Sequence, residues 1–193
     1  EENVRFEDID FRWDGSISGN DHENANAALV RLTASEAEFQ GCRFFNGESS
    51  IAPRAAIRWD YPPASARTEI SLPSGRITLV DCLIGGVEAG IDCRTLGAAG
   101  IHLTNVLHLG PGPLVRLDRC PGPDEPVSLA MSQSTVRGGT LLECFVADAA
   151  AKPGEIKILA DACVFAPPAG LPLARVHCAE PPRLFLDCMN WTG

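Results

Sequence analysis

Apolar and polar positions alternate along this chain in short bursts, and glycine or proline ends almost every burst. In "RITLVDCLIGG", residues 76–86, Ile77 and Leu79 fall on one side of an extended strand. After a break at Asp81, Cys82 and Ile84 resume the same alternation. Looser copies follow the same rule: "AEFQGCRFFNG" from Ala37, "IHLTNVLHLGPG" from Ile101, "KILADACVFAPPAG" from Lys157 and "RLFLDCMNWTG" at the end. "VRFEDIDFRWDG" from Val4 and "LAMSQSTVRGG" from Leu129 are weaker members. Each copy predicts two strands joined by a tight bend. The bends fall at Asp8, Gly41, Asp81, Asn105, Gln133, Ala162 and Asp187, mostly small or polar types, of which Asp, Asn and Gly tolerate left-handed backbone. No stretch keeps apolar residues at i, i+3, i+4 and i+7 for three turns, so helices are not expected.

A second series interleaves with the first: "ALVRLTA" from Ala28, "AAIRWDY" from Ala55, "AGIDCRT" from Ala89, "PLVRLDR" from Pro113, "TLLECFV" from Thr140 and "PLARVHC" from Pro172. Its members recur roughly every 24 to 34 residues, a spacing typical of solenoids. Strand, bend, strand, glycine turn, strand and loop make one cycle. That cycle resembles a coil of a right-handed parallel β-helix, and the motifs are similar to those of the pectate-lyase-like superfamily over nearly the whole chain. The resemblance implies an all-β solenoid of about six to seven coils. The cysteine-bearing coils are also similar to β-helix segments of large multidomain bacterial proteins, some of which carry protein-kinase domains.

Stacking accounts for the eight cysteines. Equivalent positions on neighbouring coils lie about 4.8 Å apart. Ile9, Cys42, Cys82, Val106, Ser134, Cys163 and Cys188 are therefore expected to form one inward column. Small polarizable side chains suit a narrow interior. Cα spacing would allow Cys42–Cys82 or Cys163–Cys188 disulfides, but parallel Cβ vectors disfavour them, so buried thiols are the expectation. Column neighbours cannot surround a metal ion tetrahedrally.

At 193 residues the chain reads as one domain, residues 1–193. The absence of an amphipathic capping helix suggests excision from a longer protein, or end-to-end self-association. A net charge of -9 with scattered Arg and Lys argues against nucleic acid. No apolar run is long enough for membrane insertion. The compartment is left open, with an extracytoplasmic site slightly favoured. Two polar insertions, Asp60 to Gly75 and Ser16 to Ala27, are expected to protrude from the coils.

The second strand series carries the candidate chemistry. If Val30, Ile57, Ile91, Val115, Leu142 and Ala174 point inward, then Arg31, Arg58, Asp92, Arg116, Glu143 and Arg175 point outward. Thr33, Asp60, Arg94, Asp118, Phe145 and His177 form a second outward column. The resemblance implies that this face is where superfamily members with lyase or hydrolase activity place their clefts. Arg58, Asp60, Asp92, Arg94, Arg116 and Asp118 form a checkerboard in its middle and are the candidate binding residues. Asp92 and Asp118 have the spacing of a glycosidase pair, but arginines beside them would lower their pKa and spoil a general acid. An ion-pair ladder that sets coil register is the favoured alternative. No catalytic residue, metal ligand or cofactor is assigned. His177 has no identifiable partner and is expected to be solvated, and a bulge is expected to turn His108 outward and Leu107 and Leu109 inward. The expected function is a non-catalytic scaffold or ligand-recognition module of a larger protein, binding carbohydrate or protein. The alternatives are a polysaccharide lyase or glycoside hydrolase on the same face, and a self-associating structural unit.

Overall fold

The computed structural model describes residues 3–14, 27–47, 52–60, 75–94, 97–146, 153–178 and 189–192. Every regular element among them is a strand, and the strands, numbered in chain order, fall into three parallel sheets. Sheet A takes β1 (Asn3–Glu7), β4 (Glu36–Gln40), β7 (Gly75–Val80), β10 (Ala99–Thr104), β13 (Val127–Ser132), β16 (Ile156–Asp161) and β19 (Met189–Thr192). Sheet B takes β2 (Asp10–Trp13), β5 (Arg43–Asn46), β8 (Leu83–Gly85), β11 (Leu107–Leu109), β14 (Thr135–Arg137) and β17 (Val164–Ala166). Sheet C takes β3 (Ala28–Leu32), β6 (Ala55–Trp59), β9 (Ile91–Cys93), β12 (Val115–Leu117), β15 (Leu142–Val146) and β18 (Ala174–Cys178). The chain visits A, B and C in turn and repeats, which is the all-β parallel solenoid expected from the repeat. No helix among the described residues is long and apolar enough to cross a membrane.

The bends between sheets A and B explain the first motif. Asp8, Asp81, Asn105, Gln133 and Ala162 all have φ between 51° and 56°, and Gly41 has φ 65°. These are the predicted left-handed positions; Asp187 and Cys188 lie outside the described residues. The bends at Asp8, Gly41, Asp81, Asn105 and Gln133 each donate their amide to the next coil, as in Asp81 to Thr104 O at 3.0 Å and Asn105 to Ser132 O at 3.0 Å. Side chains stack as well, since Asn105 Nδ2 donates to Asp81 Oδ1 at 2.6 Å. Gly41 is fixed by space: a Cβ there would run into the Asp8 carboxylate.

The bend sets the inward phase of the residues after it. Cys42, Cys82, Val106 and Ser134 are buried in one column, Cys163 is half-buried, and Ile9 at the first described coil is partly exposed. The six cysteines whose side chains are described are free thiols. The three in this column repeat one contact, donating to the carbonyl two residues back: Cys42 to Gln40 at 3.4 Å, Cys82 to Val80 at 3.2 Å, Cys163 to Asp161 at 3.3 Å. Ser134 Oγ does the same to Ser132 O at 2.9 Å. Burial pushes the Cys82 thiol up to about 11.

Around this column the lumen is filled by like stacked on like. Phe6 stacks on Phe39 at 4.8 Å between ring centroids, and Phe11 on Phe44 at 4.9 Å. Ile77, Ile101, Leu129 and Ile158 continue sheet A's inner face. Trp59 is buried on sheet C, and its Nε1 donates to Ala34 O at 3.0 Å. One expectation fails. His108 is fully buried, while Leu107 and Leu109 are 37% and 40% exposed, so no bulge turns β11 over. In-register pairing of His108 with Ile84 and Val136 fixes its phase against its own sequence.

Candidate functional site

Sheet C has the inward and outward phases read from its sequence. Ile57, Ile91, Val115 and Leu142 are buried in register, and between them on the outer side lie Arg58, Asp92, Arg116 and Glu143. Arg31 and Arg175 continue this column at its two ends. The second column follows, as Arg94 N bonds Trp59 O and Asp118 N bonds Cys93 O. All six candidate residues therefore share one strand face. Tyr61 and most of the Asp60 to Gly75 and Ser16 to Ala27 insertions lie outside the described residues.

Three clusters divide the charges. Asp60 takes Arg58 Nε at 3.0 Å and Arg31 Nε at 2.6 Å. Burial raises its pKa, but the two guanidinium hydrogen bonds outweigh that and hold the carboxyl below its usual value. Asp92 takes Arg94 Nε at 3.0 Å through Oδ2 and is only 1% exposed as a residue. Its Oδ1 is buried with no hydrogen-bond partner among the described residues. Glu143 is the hub of the third cluster, accepting hydrogen bonds from Arg116 Nε at 3.0 Å and His177 Nε2 at 2.8 Å, with the Arg175 guanidinium forming an ion pair at 3.6 Å. Here too burial raises the pKa, and the His177 and Arg116 hydrogen bonds bring it below the ordinary value.

The pairing differs in detail from a simple checkerboard. Arg116 turns away from its strand neighbour Asp118 and bonds Glu143 on the next coil, with Glu88 O accepting Nη2 at 3.4 Å. Asp118 is exposed and enters no ion pair among the described residues. Glu143 and His177 belong to the network although neither was singled out as a binding residue, and His177 is not solvated without a partner. Its ring also stacks on Phe145, centroids 4.6 Å apart and planes at 7°. The signal was present in the columns, where Glu143 and His177 occupy adjacent coils on the outer phase.

No family model, curated protein or solved structure matches this chain. The chemistry of the face must be read from its own geometry. Among the described residues no group of three or more His, Cys, Asp or Glu side chains could hold a metal ion. Asp60 is kept ionised by two arginines and Glu143 by His177 and Arg116, the opposite of what a general acid needs. Asp92 gives one oxygen to Arg94 and has the other closed off from solvent. The arrangement can clamp neighbouring coils together and present a rigid pattern of charge.

Proposed function

We propose that this solenoid is a non-catalytic module of pectate-lyase-like type, a rigid scaffold or ligand-recognition surface within a larger protein. The observation that supports it is the commitment of three of this face's four described carboxylates, Asp60, Asp92 and Glu143, with Asp118 left exposed. Asp60 and Glu143 are each held by more than one basic side chain, and Asp92 is shut away beside Arg94. A retaining or inverting glycosidase needs one carboxyl that stays protonated near neutral pH, and a lyase needs an unencumbered base. Ligand recognition by this surface would use its exposed members, Asp118 and the outer parts of Arg94 and Arg175, to contact a carbohydrate or protein partner.

The test is a screen against neutral and acidic polysaccharides, read for new reducing ends and for absorbance of unsaturated products. Absence of turnover with measurable retention on one polymer or protein partner supports the module. Turnover that disappears in Asp92→Asn or Asp118→Asn would replace it with a carbohydrate-active enzyme working on this same face.

A further inference from the structure

Strand β11 reads Leu107, His108, Leu109, and it sits inside out. The histidine faces the lumen with no exposed surface, and neither Nδ1 nor Nε2 has a hydrogen-bond partner among the described residues. The two leucines face solvent. Because side chains alternate strictly along a strand, turning β11 over by one residue would exchange these sets, burying two leucines and hydrating the imidazole. Local preference therefore opposes the observed setting. Its neighbours impose it: His108 lies in register between Ile84 on β8 and Val136 on β14, Leu107 N donates to Cys82 O at 2.9 Å, and Thr135 N donates to Val106 O at 2.8 Å.

Among the described residues the surroundings offer a charged imidazole no anionic partner. The strands paired with β11 point Ile84 and Val136 inward, and the inward residues of the same coil are Ile101 and Leu103 on β10 and Val115 and Leu117 on β12. Among the described residues, the other buried titratable groups of the lumen are the thiols of Cys42, Cys82, Cys93 and Cys144. Asp92 and Glu143 are buried on the far, outer side of sheet C, where arginines already hold them.

We propose that β11 is a proton-operated latch: protonation of His108 turns its ring out of the lumen, Leu107 and Leu109 turn inward, and the stretch from Asn105 to Gly110 is released from its neighbours. Burial lowers the pKa of the inward ring from 6.5 to about 4. The sign follows from linkage. The inward state has its full advantage above pH 6.5, where the turned-out ring is also neutral, and loses it as pH falls from 6.5 towards 4. Over that whole window the loss amounts to roughly two to three powers of ten in the equilibrium. Asp60 and Glu143 lose their contributions only below their ordinary values of 3.8 and 4.5, so the range above 4.5 leaves those two carboxylates out of the change.

Amide hydrogen exchange, compared with NMR titration of the His108 ring, tests the latch. Between pH 7 and 5, protection factors of Leu107, His108 and Leu109 should fall about tenfold or more while those of Ile77 and Leu129 hold. His108→Val, which matches its column neighbours, should abolish the pH dependence. Leu107→Thr with Leu109→Thr, which keeps strand propensity but weakens the inward competitor, should move the transition to lower pH. His102→Gln and His177→Gln should keep the wild-type profile. A His108 ring titrating near 6.5 with unchanged protection overturns the proposal. So does the same protection loss in His108→Val, or a profile flattened by either control. Should His108→Val not fold, the wild-type titration and the leucine variant decide.

Discussion

Arg116 and Asp92 stand side by side in register on neighbouring coils, and they do not pair. Arg116 gives its Nε to Glu143 instead, at 3.0 Å, and Asp92 keeps one oxygen buried without a partner among the described residues. The stack brings several opposite charges within reach, and rotamer choice decides which of them meet. Glu143 wins because it gathers three basic groups around one carboxylate, so its desolvation is compensated by more than one hydrogen bond.

The buried middle of the ladder and its exposed end should therefore differ in energy. Arg116→Ala strips a mostly buried partner from Glu143 and should cost about 3 kcal/mol in denaturant-unfolding free energy. Arg31→Ala removes a side chain that is 66% exposed and should cost less than about 1 kcal/mol. Equal losses would show that the hub at Glu143 is not there.

Acid should weaken the ladder in a defined range. The folded pKa values of Asp60 and Glu143 lie below their ordinary values, so their contributions are complete above pH 4.5 and vanish as pH falls through the folded values. Unfolding free energy measured from pH 5 down to pH 2 should drop, and Glu143→Gln should flatten part of the slope while lowering stability at pH 7.

The thiol column makes a prediction about chemistry rather than charge. Ser134 occupies the same inward position as Cys82 and donates to the carbonyl two residues back, as the cysteine sulfurs do. Cys82→Ser should keep that contact and cost about 1 kcal/mol or less. Alkylation followed by mass spectrometry should find Cys42 and Cys82 unreactive in the native protein and reactive in denaturant, with Cys163 labelled earlier.

At the bends, backbone geometry alone sets the sign. Ala162 holds φ at 51°, a conformation that costs an alanine about 1 kcal/mol, so Ala162→Gly should be neutral or stabilising. Gly41→Ala should be destabilising by more than that, because a Cβ would also meet the Asp8 carboxylate. Thermal unfolding of the two variants is the measurement.

Much of this architecture is legible in the sequence because two physical rules act together. A period of two identifies strands, and stacking forces equivalent residues to repeat, so Asp81 and Asn105 could be placed at left-handed bends and Ile91 and Val115 on an inner face. The charge partners were less legible. Arg116 has Asp92, Asp118 and Glu143 all within neighbouring positions, and sequence spacing cannot choose among rotamers. His177 was misjudged for the same reason, its partner Glu143 lying on the preceding coil. His108 was misjudged for the opposite reason: its own tripeptide favours the outward setting, and only the coils on either side override it.

The in-register stack is the claim on which these readings depend, and through-space NMR contacts between coils test it most directly. Backbone contacts should run from Phe39 to Leu79, from Leu79 to Leu103 and from Leu103 to Met131, each step about 4.8 Å, with the strands parallel. Antiparallel contact patterns, or a register shifted by one residue between Leu79 and Leu103, would contradict the account.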